Sequence, residues 1–233
     1  ALPRFPTPPA LATLRTYRRL LREPLAVPPA WFQGMSLKRF VYLVTSSPHK
    51  VKELQRSFSR YGINVLHWQK NSSDDDMSTV LEEAELRRLL KGESIDRSEL
   101  GIRPTDRVSI VAVIRENTKL QKHNTTELLE EKDFEQLERV QHISELKAVR
   151  MMKKTQELRT HDYTFTTDGY LDLDRQNNAA NSAGEVFGWD EKFVVRGTNN
   201  SYQDLVSKGV KVSSRDMNVS RLIRDILYYK RRT

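Results

Sequence analysis

The groups in this chain that could carry chemistry form a short set. There is no cysteine, which excludes a thiolate nucleophile, a disulfide framework and a cysteine-ligated zinc or iron–sulfur cluster. His67, His123, His142 and His161 are scattered without metal-ligand spacing, so no zinc site is expected. What remains gathers at four places: Thr45-Ser46-Ser47-Pro48-His49-Lys50, Glu116-Asn117-Thr118, Phe187-Gly188-Trp189-Asp190 and Ser213-Ser214-Arg215. At the second of these a carboxylate is followed by an amide. An amide has no titratable oxygen at physiological pH, cannot act as a general base and adds no net charge toward a divalent cation.

The elements that must position these groups can be read from periodicity. Phe40 to Thr45 is a short apolar run that reads as a buried strand. Ser47 follows as a helix cap with Pro48 at the first helical position, and Val51, Leu54 and Phe58 share one face of a helix ending at Gly62. Ile63 to Trp68 reads as a second strand, and Ser78 to Lys91 as a second helix after an acidic loop at Asn71 to Asp76. Val108 to Ile114 is the most apolar run and should be a central strand, with Glu116-Asn117-Thr118 following it. Residues 125–160 are highly charged and mostly helical in character. Phe134, Leu137, Val140, Ile143, Leu146 and Val149 recur there every third residue, which predicts a break near 141–147. Tyr163 to Leu173 reads as a strand or hairpin around Asp168-Gly169, and Phe187 to Val195 as a strand reached through a turn at Gly184. A closing helix from Met217 to Tyr229 turns Val219, Leu222, Ile223 and Ile226 inward.

Charge and proline divide the chain. The net charge is +8, of which residues 1–40 carry +6 and the last six residues +3, so the body between is nearly neutral. Seven of the nine prolines fall in the first 29 residues, which marks an extension rather than core. Within it, Ala10 to Arg22 can form one short amphipathic helix. The expected organisation is a basic, proline-rich extension at 1–37, a globular domain at 38–227 and a basic tail at 228–233. Arg4, Arg15, Arg18, Arg19, Arg22, Lys230, Arg231 and Arg232 are the candidate contacts to a polyanion, since each cation that neutralises a phosphate releases a counterion. An Arg-rich, acid-poor start is also the bias of a mitochondrial presequence or of the mature sequence just after one, so a mitochondrial matrix location is expected. No apolar run approaches the roughly 18 residues of a membrane-spanning helix, and no span is expected.

The four places, in this order, resemble the inosine triphosphate pyrophosphatase family, whose members hydrolyse non-canonical purine nucleoside triphosphates to monophosphate and pyrophosphate. The resemblance covers about residues 38–227. Phe187-Gly188-Trp189-Asp190, with Phe193 and Asn200-Ser201-Tyr202-Gln203-Asp204-Leu205 after it, is similar to the family's Phe-Gly-Trp/Tyr-Asp-Pro segment and the aromatic turn beyond. Thr45 to Lys50 stands where the family has Thr-Gly-Asn-x-x-Lys, Glu116-Asn117-Thr118 where it has two acids and a Ser or Thr, and Ser213-Ser214-Arg215 where it has Ser-His-Arg. The resemblance implies an α/β fold with a mixed, twisted central sheet flanked by helices, two-lobed with a cleft. It also implies roles: Ser47 and Lys50 toward phosphate, Glu82, Glu116 and Asn117 toward Mg²⁺ and water, Phe187, Gly188, Trp189, Asp190, Ser214 and Arg215 toward the purine.

The departures from that pattern bear on activity. The motif's glycine is Ser46 and its asparagine Ser47, the second acid is Asn117 followed shortly by Lys119, the histidine is Ser214 and the proline is Glu191. The family's Gly-x-Pro-Gly segment has no counterpart in Gln121 to Glu131. No intact catalytic set, resident metal or cofactor is therefore expected. The expected function is a non-catalytic structural subunit of a large mitochondrial assembly, the mitochondrial ribosome first, contacting ribosomal RNA and neighbouring protein subunits, with a homodimer less favoured. The alternative is an active Mg²⁺-dependent pyrophosphatase in which Glu82 and Glu116 hold one ion.

Overall fold

The computed structural model describes residues 37–70, 76–129, 139–175, 190–207 and 213–228. Its elements are β1 (Leu37–Thr45), α1 (Pro48–Ser59), β2 (Ile63–Gln69), α2 (Glu83–Leu90), β3 (Arg107–Lys122), β4 (Leu128–Leu129), β5 (Val140–Met151), β6 (Leu158–Leu171), β7 (Phe193–Val195), β8 (Asn200–Ser201), α3 (Tyr202–Ser207) and α4 (Ser214–Tyr228). The strands make one mixed, open sheet of eight in the order β2-β1-β3-β5-β6-β7-β8, with β4 pairing on β3, and helices flank it. β1 pairs in parallel with both β2 and β3, whereas β3/β4, β6/β7 and β7/β8 are antiparallel. No helix among the described residues is long and apolar enough to cross a membrane.

Two compact units divide the chain. One comprises the described parts of 22–117, 145–163 and 218–233. Its β1 is buried on both faces, which is why Phe40 to Thr45 reads as a continuous apolar run instead of an alternation. Val41 and Leu43 point to a core with Leu54 and Phe58 of α1 and Val219, Leu222 and Ile223 of α4. Tyr42 and Val44 point the other way, to Val80, Leu81 and the Leu86, Leu89 and Leu90 face of α2. α1 begins as expected: Ser47 is its N-cap, the Lys50 amide donates to the Ser47 hydroxyl, and Pro48 sits where no amide is needed. It closes through Gly62, whose φ of 67° is left-handed. The other unit comprises the described parts of 118–144 and 164–217, and its core gathers Leu120, Val140, Leu171, Phe193, Val195, Tyr202, Leu205 and Met217.

Several expectations are corrected. In the described parts of 125–160 the expected helical character gives way to strands: β5 spans Val140–Met151, and its burial alternates with period two from Val140 through His142, Ser144, Leu146 and Ala148. The every-third-residue apolar spacing hid this alternation, because two of the inward positions are the polar His142 and Ser144. Phe134 and Leu137 lie outside the described residues. β6 runs straight through Asp168-Gly169, resolving the strand-or-hairpin alternative as a strand. β3 extends eight residues past Ile114, so Glu116, Asn117 and Thr118 lie inside the strand and not after it. The second helix starts at Glu83, five residues later than expected. Ser78 is bound through both its amide and its hydroxyl by the Asp76 carboxylate, a local turn that competes with helix. The proposed helix at Ala10 to Arg22, the loop residues Asn71 to Asp75, the Gly184 turn and the strand start at Phe187 all lie outside the described residues, as do residues 1–36 and 229–233 of the two basic ends.

Candidate functional site

Within the first unit the turn after β1 and the acid–amide pair are brought together. Leu43 of β1 is level with Ile114 of β3 in parallel register, so the carboxyl end of β1 lies beside Arg115 to Asn117. The turn after β1 is closed by its own groups. The Ser47 amide donates to Thr45 Oγ1 at 3.0 Å, and the Lys50 amide donates to Ser47 Oγ at 3.4 Å. The Thr45 carbonyl is met by His67 Nε2 at 2.9 Å, and Lys50 Nζ donates to the main-chain oxygen of Glu116 at 3.0 Å. Glu116 is 1% exposed and Asn117 half-buried. Beside them Arg115, also 1% exposed, donates from Nη1 to the Thr79 carbonyl at 3.0 Å, tying β3 to the segment before α2. Glu82 stands at the start of α2 with its side chain exposed and makes no capping bond, so it is not drawn into this group.

Within the second unit the residues expected to read a purine enter a buried polar knot. Ser214 is fully buried and donates from Oγ to the His142 carbonyl at 2.8 Å, with Thr167 Oγ1 also 2.8 Å away. His142 Nδ1 lies 2.8 Å from the Tyr202 hydroxyl, and the imidazole stands edge-on to Phe193 and Tyr202. Burial pushes the Tyr202 phenol well above its ordinary pKa, outweighing the hydrogen bonds from Thr167 and Ser214 that act the other way. Arg215 is buried and donates to Thr118 Oγ1 at 3.3 Å. Desolvation lowers its pKa to about 10 against the opposing charge of Asp216. Asp190 is half-buried and its carbonyl accepts the Gln203 amide at 3.2 Å. Phe187, Gly188 and Trp189 lie outside the described residues, as do Arg4, Arg15, Arg18, Arg19, Arg22, Lys230, Arg231 and Arg232.

The α3 turn is held by an acid that sequence reasoning left without a role. Asp204 Oδ2 accepts from the Ser201 amide at 2.8 Å and from Arg175 Nη2 at 2.6 Å, while the Asp204 amide donates to Ser201 Oγ at 3.1 Å. Burial raises the Asp204 pKa, but the Ser201 amide and the Arg175 charge outweigh it and hold the carboxyl below its ordinary range. Thr167 and Arg115 also carried no expectation, and His142 was considered only as a metal ligand. The available signal was a polar residue at an inward phase of a strand, which is visible only once the element is known to be a strand.

No family model matches this chain, and no curated protein matches it. Among solved structures, a neuraminyllactose-binding hemagglutinin homolog from Helicobacter pylori is similar at 10% identity with a TM-score of 0.22, covering 84% of this chain and 86% of that one. A likeness of that size carries no statement about fold family or function.

Proposed function

We propose that this chain is a non-catalytic structural subunit of a large mitochondrial assembly, the mitochondrial ribosome first, built on a degenerate inosine triphosphate pyrophosphatase-like domain. On this reading the mixed sheet is that family's two-lobed sheet. The observation that carries the proposal is the internal closure of the turn after β1. The Ser47 amide, the Lys50 amide and the Lys50 ammonium are the donors that a triphosphate would need, and each has a protein acceptor. The next residue along β3 from Glu116 is Asn117, an amide where hydrolysis asks for a second anion to hold Mg²⁺ and orient water. A nearly neutral body with basic ends supports the assembly reading, since cationic extensions gain free energy along RNA by counterion release.

Two measurements test it. The tagged chain should co-sediment with mitochondrial ribosomal particles at physiological salt, and removal of 1–30 and 228–233 should release it. Retention of the truncated chain refutes the role given to the ends. Purified chain with inosine triphosphate and Mg²⁺ should release no pyrophosphate. Turnover that disappears in Glu116→Gln establishes the working pyrophosphatase instead.

A further inference from the structure

The first unit holds a concave feature at the opposite end of the parallel strands from Lys50 and Glu116. It is an open cleft of about 860 Å³ at the amino ends of β1 and β3, where Leu37 pairs with Arg107, roofed by the residues after α2 and by the β5–β6 turn. Five cations line it: Arg39, Lys91, Arg97, Arg107 and Lys153. The one acid in the lining among the described residues, Asp106, is already engaged, accepting from Arg103 Nη2 at 2.9 Å. Among the described residues Lys91 has only a distant partner outside the lining, Glu93 at 3.9 Å. Arg97 is fixed in place by donating to the Arg103 and Asp106 carbonyls, both at 3.2 Å. Arg39 is 9% exposed, and burial lowers its pKa.

The lining also says which anion fits. Among the described residues it contains no Phe, Tyr, Trp or His to stack a nucleobase, and its cations suit phosphate. Several cations spread over a wide, open cleft suit a run of phosphates better than a single compact one. The chain's own segment before Leu37 is a poor occupant, because it carries Arg4, Arg15, Arg18, Arg19 and Arg22 against one acid, Glu23. We propose that this cleft binds the phosphodiester backbone of RNA without reading its sequence. The choice of RNA as the phosphate source rests on the structural-subunit reading; the anion site rests on the cleft.

The test uses the full chain, so both basic ends stay in every sample. Binding of a mixed-sequence single-stranded RNA 20-mer is followed by fluorescence anisotropy across a salt series. The comparison is between Lys91→Gln/Arg107→Gln/Lys153→Gln and an equal charge loss on α1 and its C-cap, Lys52→Gln/Arg56→Gln/Arg60→Gln. All six side chains are exposed, which keeps the fold out of the comparison, and thermal melts of each variant accompany the binding curves. Each lost phosphate contact removes about 0.7 from the salt slope. At 0.1 M salt the cleft variant should therefore bind about a hundredfold more weakly, with a slope smaller by about two, and the α1 variant should change little. Equal losses in the two variants overturn the cleft. Displacement of the RNA by 10 mM inorganic phosphate also overturns it, in favour of a small-anion site. If the wild-type chain fails to sediment with ribosomal particles while RNA binding depends on the cleft, the subunit reading falls and the cleft stands. Sedimentation without cleft dependence gives the reverse.

Discussion

Gly169 provides the sharpest test of how β7 is held. It lies in β6 opposite Val195, and a Cβ built there would stand 2.5 Å from the Val194 carbonyl oxygen and 2.5 and 2.8 Å from two ring carbons of Phe193. Ordinary contact begins at 3.4 Å, so Gly169→Ala must move β7 by roughly 0.9 Å. Phe193 is fully buried against His142 and Tyr202 and cannot swing aside, and the other close atom is backbone. Overpacking of this kind costs about 1–3 kcal/mol, and a strained ladder bond adds about 1 kcal/mol. Against this, alanine gains about 0.4–1 kcal/mol by restricting the unfolded chain. The net loss should be about 2 kcal/mol, a fall of about 4–8 °C in melting temperature for a chain of this size. Urea denaturation read by far-ultraviolet circular dichroism, with the melting temperature alongside, measures it. An unchanged or raised midpoint would refute the argument that a side chain is excluded here.

Two further outcomes follow from the buried hydroxyls. Tyr202→Phe removes the partner of His142 Nδ1 from a buried site and should cost about 1–3 kcal/mol in the same denaturation experiment; wild-type stability would show the bond to be dispensable. Tyr163 donates from its hydroxyl to Asp225 at 2.7 Å, and burial, with Asp225 adding to it, raises its pKa above the ordinary value near 10. A raised pKa in the folded state means the unfolded chain loses this proton first. Its contribution is complete below about pH 10 and is lost as pH climbs beyond. The urea midpoint should fall between pH 9 and pH 11, and fall less in Tyr163→Phe, with Tyr42 and Tyr202, whose pKa values are shifted the same way, supplying the remainder. Parallel falls in both proteins would remove Tyr163 from the account.

What the sequence alone determined is whatever depends on neighbours along the chain. The Ser47 cap with Pro48 fixes where α1 begins, and the six-residue apolar run makes β1 a strand buried on both faces, because these signals act over one turn or one pleat. The absence of thiol chemistry, the basic ends and the amide at Asn117 are likewise properties of composition and position. Tertiary structure decided the rest. β5 is a strand although its charge and apolar spacing suggested helix, since pairing within the sheet rewards the two-residue alternation that places His142 and Ser144 inward. The main-chain acceptors of Lys50 and Ser214 are 66 and 72 residues away in sequence, so no local pattern could reveal these bonds. The same holds for the basic cleft, whose cations come from four separate stretches of chain and meet only where parallel strands begin side by side.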